Sequence, residues 1–378
     1  MEKTLKNPFV VGRYVSEKYF CDREEETSFL KKNIENGRNV AIISSRRLGK
    51  TGLINHFFAK KDIKNDYYTF FVDIYATSSL SELVYLLGKT IYDELKPKKT
   101  QWSERFFSII SSLRMGFKLD TITGEPTFDI GLGDIQSPHT TLDEIFKYLE
   151  DADKPCIVAI DEFQQIGNYA EKNVEALLRT KIQQCVNTQL IFSGSKRHIM
   201  SNMFNSASKP FYQSAISMSL APIPQETYAD FATGLFKEWG KEINRTLIDE
   251  VYKLYDGHTW FIQMIMNELF ALTAQDEMCD IDMLSIARKN IVLSQENSYK
   301  EILSHLSHKQ KILLQAVAKE KIVNGITSAQ FVSKYNLSSA SSVQAALKPL
   351  LDNDIVTQDN NRYRVYDFFF ADWLQNIF

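Results

Sequence analysis

The sequence has little cysteine and no long apolar run. Its four cysteines are scattered along the chain, with no C-x-x-C pair and no histidine cluster near any of them. Neither a disulfide framework nor a zinc site is therefore expected, and a reducing cytoplasm is the predicted location. No stretch reaches about 18 consecutive apolar residues, which predicts that no helix spans a membrane. The first eight residues also lack the apolar core of a secretory signal.

The chain also lacks a surplus of charge of either sign. It has 44 Lys and Arg against 47 Asp and Glu, a formal net charge of −3. This balance gives no global attraction to nucleic acid or to an anionic membrane. The hydrophobic fraction of 44% and the charged fraction of 24% are ordinary for a globular protein and exclude extensive disorder. The 378 residues suffice for two or three domains of about 100–200 residues each.

In the first part of the chain, short apolar runs alternate with segments of helical periodicity. The runs predict strands at 39–44, 67–75, 156–161 and 189–193, and the periodic segments predict helices at 23–36, 50–59, 80–95, 141–152 and 173–186. Such alternation predicts an α/β fold, a parallel sheet flanked by helices. We assign it to one α/β domain, residues 1–221, with an insertion at about 96–138. The insertion is predicted to contain a helix near 102–113 and a hairpin within 117–130.

After residue 221 the pattern becomes helical. Residues 222–300 are predicted to form an α-helical domain, and residues 301–378 a winged-helix domain. The winged helix is indicated by three helices followed by a two-stranded hairpin. The helices are predicted at 309–319, 328–335 and 339–353, and the strands at 355–358 and 362–366.

The sharpest motif lies at the predicted turn from the first strand to the second helix. Residues 44–51, Ser-Ser-Arg-Arg-Leu-Gly-Lys-Thr, match G-x-x-x-x-G-K-[ST] except that Ser44 replaces the first glycine. In such a loop, backbone N–H groups and a helix N-terminus converge on phosphate oxygens. Lys50 is expected to bind the β- and γ-phosphates, Thr51 to ligate Mg²⁺, and Gly49 to let the backbone approach closely.

The remaining loop residues complete the predicted nucleotide-binding segment. Arg46 and Arg47 are its two cations, and each could contact a phosphate, a partner subunit or only solvent. The predicted cofactor-binding loop residues are Ser45, Arg46, Arg47, Leu48, Gly49, Lys50 and Thr51.

A second motif is the apolar strand that ends in Asp161 and Glu162. A buried parallel strand places these carboxylates at the sheet edge where α/β proteins bind ligands. Asp161 is expected to hold Mg²⁺ through water, and Glu162 to act as the general base on the attacking water. Ser193, at the end of the next strand, is expected to bind the γ-phosphate or that water. Arg197 follows closely and is either a phosphate sensor or a surface residue.

Four segments carry a family resemblance. Residues 20–26, Phe-Cys-Asp-Arg-Glu-Glu-Glu, are similar to a Phe-x-Gly-Arg-Glu-x-Glu motif, with Asp22 where glycine is usual. Residues 45–51 resemble Pro-Arg-Arg-x-Gly-Lys-Thr. Residues 161–164 resemble a Walker B run, and residues 192–195 a sensor strand. Together these motifs resemble the archaeal-type P-loop ATPases, a branch of the AAA-like and STAND nucleotide-switch NTPases, over most of the chain.

The resemblance implies further site residues and a nucleotide. Arg23 would lie near the nucleotide base. The resemblance also implies that residues 1–221 are a P-loop NTPase domain and residues 222–300 an α-helical lid domain. Residues 255–259, Tyr-Asp-Gly-His-Thr, are similar to a Gly-x-Pro-type motif of the family's lid in which Thr259 replaces proline, and His258 would approach the nucleotide from the lid. ATP rather than GTP is implied by the family, and the sequence has no guanine-reading N-K-x-D run. A C-terminal winged helix is also typical of the family.

The charge of the winged helix does not favour duplex binding. Eight Lys and Arg face seven Asp and Glu between Glu301 and Phe378, and DNA affinity depends largely on phosphate neutralisation. The would-be recognition helix offers only Ser341, Ser342, Gln344 and Lys348 as readers of DNA. We therefore expect the winged helix to make intramolecular or protein contacts rather than to bind DNA.

The sequence thus predicts an ATP-binding, Mg²⁺-dependent P-loop ATPase that is slow without a partner and acts as a nucleotide-driven conformational switch. Two alternatives stay open. One is a transcriptional regulator whose DNA binding is tuned by nucleotide. The other is a non-hydrolysing scaffold that keeps ADP as a structural ligand, although such a scaffold would have no need of Glu162. ATP is the predicted small-molecule partner, a protein or DNA is a possible partner of the winged helix, and no membrane contact is expected.

Overall fold

The computed structural model describes residues 5–95, 117–119, 126–128, 137–359 and 361–376. They form two compact units. One consists of residues 12–223, and the other combines residues 5–11 with residues 224–376. The helix predicted near 102–113 lies outside the described residues. Among the described residues, no helix has the length and hydrophobicity that a membrane crossing requires.

The unit of residues 12–223 is built on a parallel sheet. Its strands in chain order are β1 Val40–Ile43, β2 Tyr68–Asp73, β3 Phe117–Leu119, β4 Pro126–Phe128, β5 Cys156–Asp161, β6 Thr188–Gly194 and β7 Ile216–Ser219. Five of them form one sheet in the order β2-β5-β6-β1-β7, and every pairing in it is parallel. β1 and β5 are therefore separated by β6, so the ends of these three strands meet at one edge.

Helices cover both faces of this sheet. They are α1 Glu24–Glu35, α2 Lys50–Ala59, α3 Lys61–Asp66, α4 Leu80–Leu95, α5 Pro138–Glu150, α6 Val174–Gln184 and α7 Arg197–Asn205. Successive strand residues point to opposite faces: in β5, Ile157 and Ala159 pack in the core with α1 to α3, and Val158 and Ile160 in the core with α4 to α7. The predicted α/β P-loop fold is confirmed.

Two smaller features of this unit are a β-hairpin that the sequence predicts and an edge strand that it does not. β3 and β4 pair antiparallel, with Phe117 opposite Phe128, as the predicted hairpin requires. β7 was not predicted. It is an edge strand in which only Met218 is buried, so it lacks the continuous apolar run that marks β1, β5 and β6.

The second unit is mainly helical. Its helices are α8 Gln225–Glu238, α9 Arg245–Leu254, α10 Thr259–Leu272, α11 Ile281–Ser304, α12 His308–Glu320, α13 Ala329–Lys334, α14 Ala340–Asp352 and α15 Phe368–Asn376. Its strands are β8 Glu242–Ile243, β9 Met278–Cys279, β10 Val323–Asn324, β11 Val356–Asp359 and β12 Arg362–Val365. The lid region is not purely helical, because β8 and β9 form a short parallel pair. The wing has three strands, in the order β10-β12-β11, where two were predicted.

The first described residues belong with this helical unit. The Phe9 ring packs on Phe236 and Phe270 at centroid distances of 5.5 and 5.9 Å. The Asn7 side chain donates to the carbonyl of Asn267 at 2.8 Å, and the Asn267 side chain donates to the carbonyl of Phe9 at 2.7 Å. Contacts over some 260 residues of chain are invisible to local sequence patterns. The three-domain division stays a prediction.

Candidate functional site

The loop between β1 and α2 contains two residues with a left-handed backbone conformation. Gly49 has a φ of +90°, and an added Cβ would meet no atom within 4 Å. Glycine is therefore favoured here by conformation rather than by space. Arg47 also adopts a left-handed φ of +66°. Helix α2 begins at Lys50, so the loop ends at the positive N-terminus of a helix.

Lys50 is folded back onto this loop. Its side chain is buried, and Nζ donates to the carbonyl oxygens of Ser44 at 3.3 Å and Ser45 at 3.0 Å. Burial lowers the pKa of Lys50, the nearby carboxylates of Glu162 and Asp161 oppose this, and the charge of Arg46 adds to it. The loop thus holds a partly desolvated cation.

The two predicted magnesium ligands are in contact. Thr51 lies in the first turn of α2, and Asp161 is the last residue of β5. The Thr51 hydroxyl donates to Asp161 Oδ2 at 2.6 Å, and the backbone N–H of Glu162 donates to Asp161 Oδ1 at 3.0 Å. Because Thr51 gives its proton to Asp161, the lone pairs of its oxygen remain to bind a cation.

The Glu162 carboxylate accepts two hydrogen bonds, both at the same oxygen atom. The backbone of Glu162 is left-handed, with φ of +55°. Its Oε2 accepts a hydrogen bond from Ser195 Oγ at 2.7 Å and another from the Gln164 side-chain amide. Arg46 Nε in turn donates to Ser195 Oγ at 3.2 Å. A chain of hydrogen bonds therefore joins the phosphate loop to the predicted general base.

Ser195 and Gln164 are functional candidates to which the sequence analysis gave no role. Ser195 follows Gly194, the last residue of β6, and the Ser-Gly-Ser run was the available signal. Gly194 also makes room for Gln164: a Cβ on Gly194 would lie 2.4 Å from Gln164 Oε1 and 2.5 Å from Met200 Cγ. A larger residue at this position would therefore force the side chain of Gln164 or Met200 to move.

Ser193 lies one residue inside the end of β6. It pairs with Ile42 of β1 and is fully buried. Its hydroxyl has no hydrogen-bond partner among the described residues. A buried hydroxyl without a partner is costly in a protein interior, and here it marks a point that a ligand or water can satisfy.

A third carboxylate lies at the same sheet edge. Asp73 ends β2 and pairs in register with Asp161. Burial raises the pKa of Asp73, and the neighbouring charges of Asp161 and Glu162 raise it further, whereas its hydrogen bond from the Tyr75 backbone opposes them. Three carboxyl groups therefore lie at this edge, and a bound cation would offset their mutual repulsion.

Arg23 ties the segment before α1 to the phosphate loop. Its guanidinium is 3% exposed and bonds Glu26 at 2.6 Å and the carbonyl of Leu48 at 3.2 Å. Asp22, where the resembling motif has glycine, has a φ of +59°, a region that Asp tolerates better than most residues. The loop residue Leu48 is buried.

Arg197, for which the sequence leaves open a phosphate contact or a surface position, is exposed at the start of α7.

His258 lies in the helical unit, and both of its ring nitrogens have protein neighbours. Nδ1 lies 3.1 Å from the carbonyls of Tyr255 and Asp256, and Nε2 lies 3.2 Å from Nη2 of Arg364. Arg364, in β12 of the wing, also donates to Asp256 at 3.1 Å. Burial lowers the pKa of His258, and the charge of Arg364 lowers it further. The lid motif is therefore joined to the winged helix.

Comparison with protein families gives two matches. The model of ATPase domains predominantly from Archaea matches residues 20–265. The model of probable winged helix domains matches residues 297–376. No curated protein matches the chain significantly.

Solved structures share the fold over nearly the full chain. The Walker-type ATPase of Pyrococcus abyssi has 18% identity and a TM-score of 0.65, covering 97% of this chain and 99% of that one. The ORC2 protein of Aeropyrum pernix, solved as ADPNP–ADP complexes, has 14% identity and a TM-score of 0.59, with coverage of 97% and 95%. The ORC1 protein of Aeropyrum pernix in complex with DNA has 12% identity and a TM-score of 0.55, with coverage of 98% and 96%.

Proposed function

Because this chain belongs to the family of ATPase domains found predominantly in Archaea, we propose that it binds ATP with Mg²⁺ and hydrolyses it to ADP and phosphate. The observation that carries the proposal is the cluster at the end of β1, β5 and β6. There the buried Lys50, the bonded pair Thr51 and Asp161, and the doubly held Glu162 lie together. This is the set of groups that phosphoryl transfer needs.

The loop residues fit a triphosphate. Two of the three N–H donors of Lys50 are met by carbonyls of its own loop, bonds that a phosphate oxygen can replace or complement. A phosphate beside Lys50 would favour its charged form and so oppose the effect of burial on its pKa. The N-terminus of α2, together with the loop residues Ser45 to Gly49, supplies the remaining donors and positive potential.

The donor set at Thr51 and Asp161 fits Mg²⁺, which prefers oxygen ligands and keeps several waters. Mg²⁺ bound there would neutralise negative charge on the phosphate oxygens. Thr51 would ligate it directly, and Asp161 through water.

Glu162 would act as the base. Both described hydrogen bonds of its carboxylate reach Oε2, so Oε1 is the atom that would accept a proton from the attacking water. Ser193 would bind that water or the γ-phosphate through its buried hydroxyl. Arg23 would hold the loop beside the nucleotide base, and His258 would report the nucleotide state through the lid.

We also propose that hydrolysis drives a conformational switch, with the winged helix making intramolecular contacts. The bonds of Arg364 to the lid motif support this, because one of the few cations of the wing already makes contacts to other residues of the same chain. The scattered cysteines favour a cytoplasmic location. Small-angle scattering with ADP and with an ATP analogue tests the switch, and identical profiles in the two states would refute it.

The direct test of the function is phosphate release with Mg·ATP from wild type, Lys50→Ala and Glu162→Gln. We expect slow turnover in wild type that is lost in both variants. Nucleotide binding should be lost with Lys50→Ala and kept with Glu162→Gln, because Glu162 acts on water and not on the bound phosphates. Tight ADP binding without any turnover would instead support the scaffold, and a salt-sensitive duplex shift would support the DNA-binding alternative.

A further inference from the structure

We propose that Glu17, Glu24 and His56 form a binding site for a divalent transition-metal ion, and that Zn²⁺ is the ion this ligand set fits best. These residues are distinct from the predicted Mg²⁺ ligands Thr51 and Asp161, and the site requires neither ATP binding nor hydrolysis. Zinc was not expected from the scattered cysteines. A site whose ligands come from three separate segments leaves no spacing motif in the sequence.

The first observation is the proximity of the three ligand groups. A carboxylate oxygen of Glu17, one of Glu24 and a ring nitrogen of His56 all lie within 4.8 Å of one another. Glu17 begins a short 3₁₀ turn, Glu24 is the first residue of α1, and His56 lies in α2. Ligand atoms on one tetrahedral Zn²⁺ are about 3.5 Å apart, since each bond is about 2.1 Å long. The remaining contraction of about 1 Å is within reach of two exposed glutamate side chains.

The second observation is an unsatisfied nitrogen in the buried member of this cluster. His56 is 1% exposed, and its Nε2 is buried without a hydrogen-bond partner among the described residues. Its Nδ1 lies 3.3 Å from the Tyr14 hydroxyl. When Nδ1 donates to that hydroxyl, the lone pair remains on Nε2, the form in which an imidazole binds a metal ion. A buried polar atom without a partner is costly, and a metal ion beside the two carboxylates would supply the partner.

The third observation is that aromatic packing fixes the imidazole in place. The Phe20 ring stacks on the His56 ring, with centroids 4.5 Å apart and planes at 21°. Tyr14 contacts both rings edge-on, at 5.5 Å from Phe20 and 5.6 Å from His56. The nitrogen ligand is therefore positioned before an ion arrives. Metal binding would have to order only the two glutamates, which lowers its entropic cost.

The charges at the cluster favour a divalent ion. Lys60 Nζ bonds Glu17 at 2.7 Å, and the Glu17 side chain is 68% exposed. An ammonium group bonded to Glu17 offsets one carboxylate, whereas an ion between Glu17 and Glu24 would offset two. Imidazole together with carboxylate suits Zn²⁺ better than Mg²⁺, which prefers oxygen ligands. Because both glutamates are exposed, water can complete the four ligands from the solvent side.

The test compares Glu24→Gln with the matched control Glu25→Gln in the full-length chain. Both variants remove one exposed carboxylate from the first turn of α1, but only Glu24 belongs to the cluster. Zinc chloride is titrated by calorimetry without nucleotide, in excess Mg²⁺ that occupies oxygen-only sites, with thermal unfolding as a check of folding. We expect wild type and Glu25→Gln to bind Zn²⁺ equally, and Glu24→Gln at least about 10-fold more weakly. Equal affinities in the two variants, or no saturable binding to wild type, would overturn the inference.

Two further variants test the histidine and the lysine. His56→Gln should abolish Zn²⁺ binding, and Co²⁺ bound to wild type should absorb in the visible without a thiolate charge-transfer band. Such a band would place the ion on a cysteine and overturn the inference. Lys60→Met should tighten Zn²⁺ binding by up to about 5-fold, because the ammonium group competes for Glu17; weaker binding would contradict a site built on Glu17. Since no nucleotide is present, these results are independent of whether the protein hydrolyses ATP.

Discussion

The two regions that carry predicted nucleotide contacts are organised differently. At the sheet edge of the first unit, the bonds between functional residues leave capacity for a ligand. Thr51 gives its proton to Asp161 and keeps its lone pairs, and Glu162 is held through one oxygen. The buried Ser193 hydroxyl has no partner among the described residues.

In the lid motif of the second unit, the polar atoms of His258 are already engaged by other groups of the protein. The ring of His258 has carbonyl groups beside Nδ1 and Arg364 beside Nε2. The Arg364 guanidinium also lies 5.0 Å from the centre of the Phe368 ring. A ligand at His258 would have to displace a buried, charge-assisted contact. The first region therefore keeps groups that can bind a ligand, whereas in the second the same kinds of group are already engaged by contacts between the lid motif and the winged helix.

The largest effect that tests this comparison is expected at Thr51. Thr51→Val keeps the shape of the side chain but removes both the predicted Mg²⁺ ligand and the proton donor to Asp161. Mg²⁺-dependent phosphate release should fall by about 100-fold, whereas Thr51→Ser keeps the hydroxyl and most of the activity. Wild-type turnover in Thr51→Val would mean that the bonded pair is only structural.

A smaller effect, on stability, is expected at Gly194. In Gly194→Ala the new methyl group would overlap Gln164 Oε1 at 2.4 Å and Met200 at 2.5 Å. The free energy of unfolding should fall by about 2 kcal/mol, as for other overpacked sites. Gly167→Ala is the matched control, because Gly167 has no neighbour within 4 Å of an added Cβ and no positive φ. Equal urea midpoints for the two variants would show that the side chains of Gln164 and Met200 are packed loosely enough to move aside.

The fold could be predicted where local signals agree. The boundaries of α2, α4 and β5, at Lys50–Ala59, Leu80–Leu95 and Cys156–Asp161, are those expected from the sequence. In each segment a continuous apolar run or a helical period ends at a polar or glycine-containing stretch. β7 and the β8–β9 pair were missed because short strands with one buried residue each leave no such pattern.

The site could be predicted as a set of motifs but not as a network. The GKT loop and the Asp-Glu pair identify their own residues because their spacing is local. The bond between Arg46 and Ser195 joins residues 149 positions apart, and nothing in either segment indicates it. Which serine of Ser193-Gly194-Ser195 meets Glu162 depends on where β6 ends and on the turn that follows. The contact of His258 with Arg364 is hidden for the same reason.

The smallest effect, and the one that separates the two regions most directly, is a dependence of stability on pH. Burial and Arg364 lower the pKa of His258 from its ordinary 6.5, so the unfolded chain takes up this proton at higher pH than the folded one. The contribution is complete above pH 6.5 and is lost as the pH falls from there towards the folded pKa. His56, in the other unit, also has a lowered pKa, mainly through burial, and its contribution persists in any variant of the lid.

We therefore expect His258→Gln to reduce, without abolishing, the fall in unfolding free energy between about pH 7.5 and pH 5. Arg364→Gln should act in the same direction, because removing the cation brings the His258 pKa back towards 6.5. Urea titrations at each pH measure the free energy of unfolding. If it changed with pH in both variants as it does in wild type, the contact between His258 and Arg364 would not be present in solution.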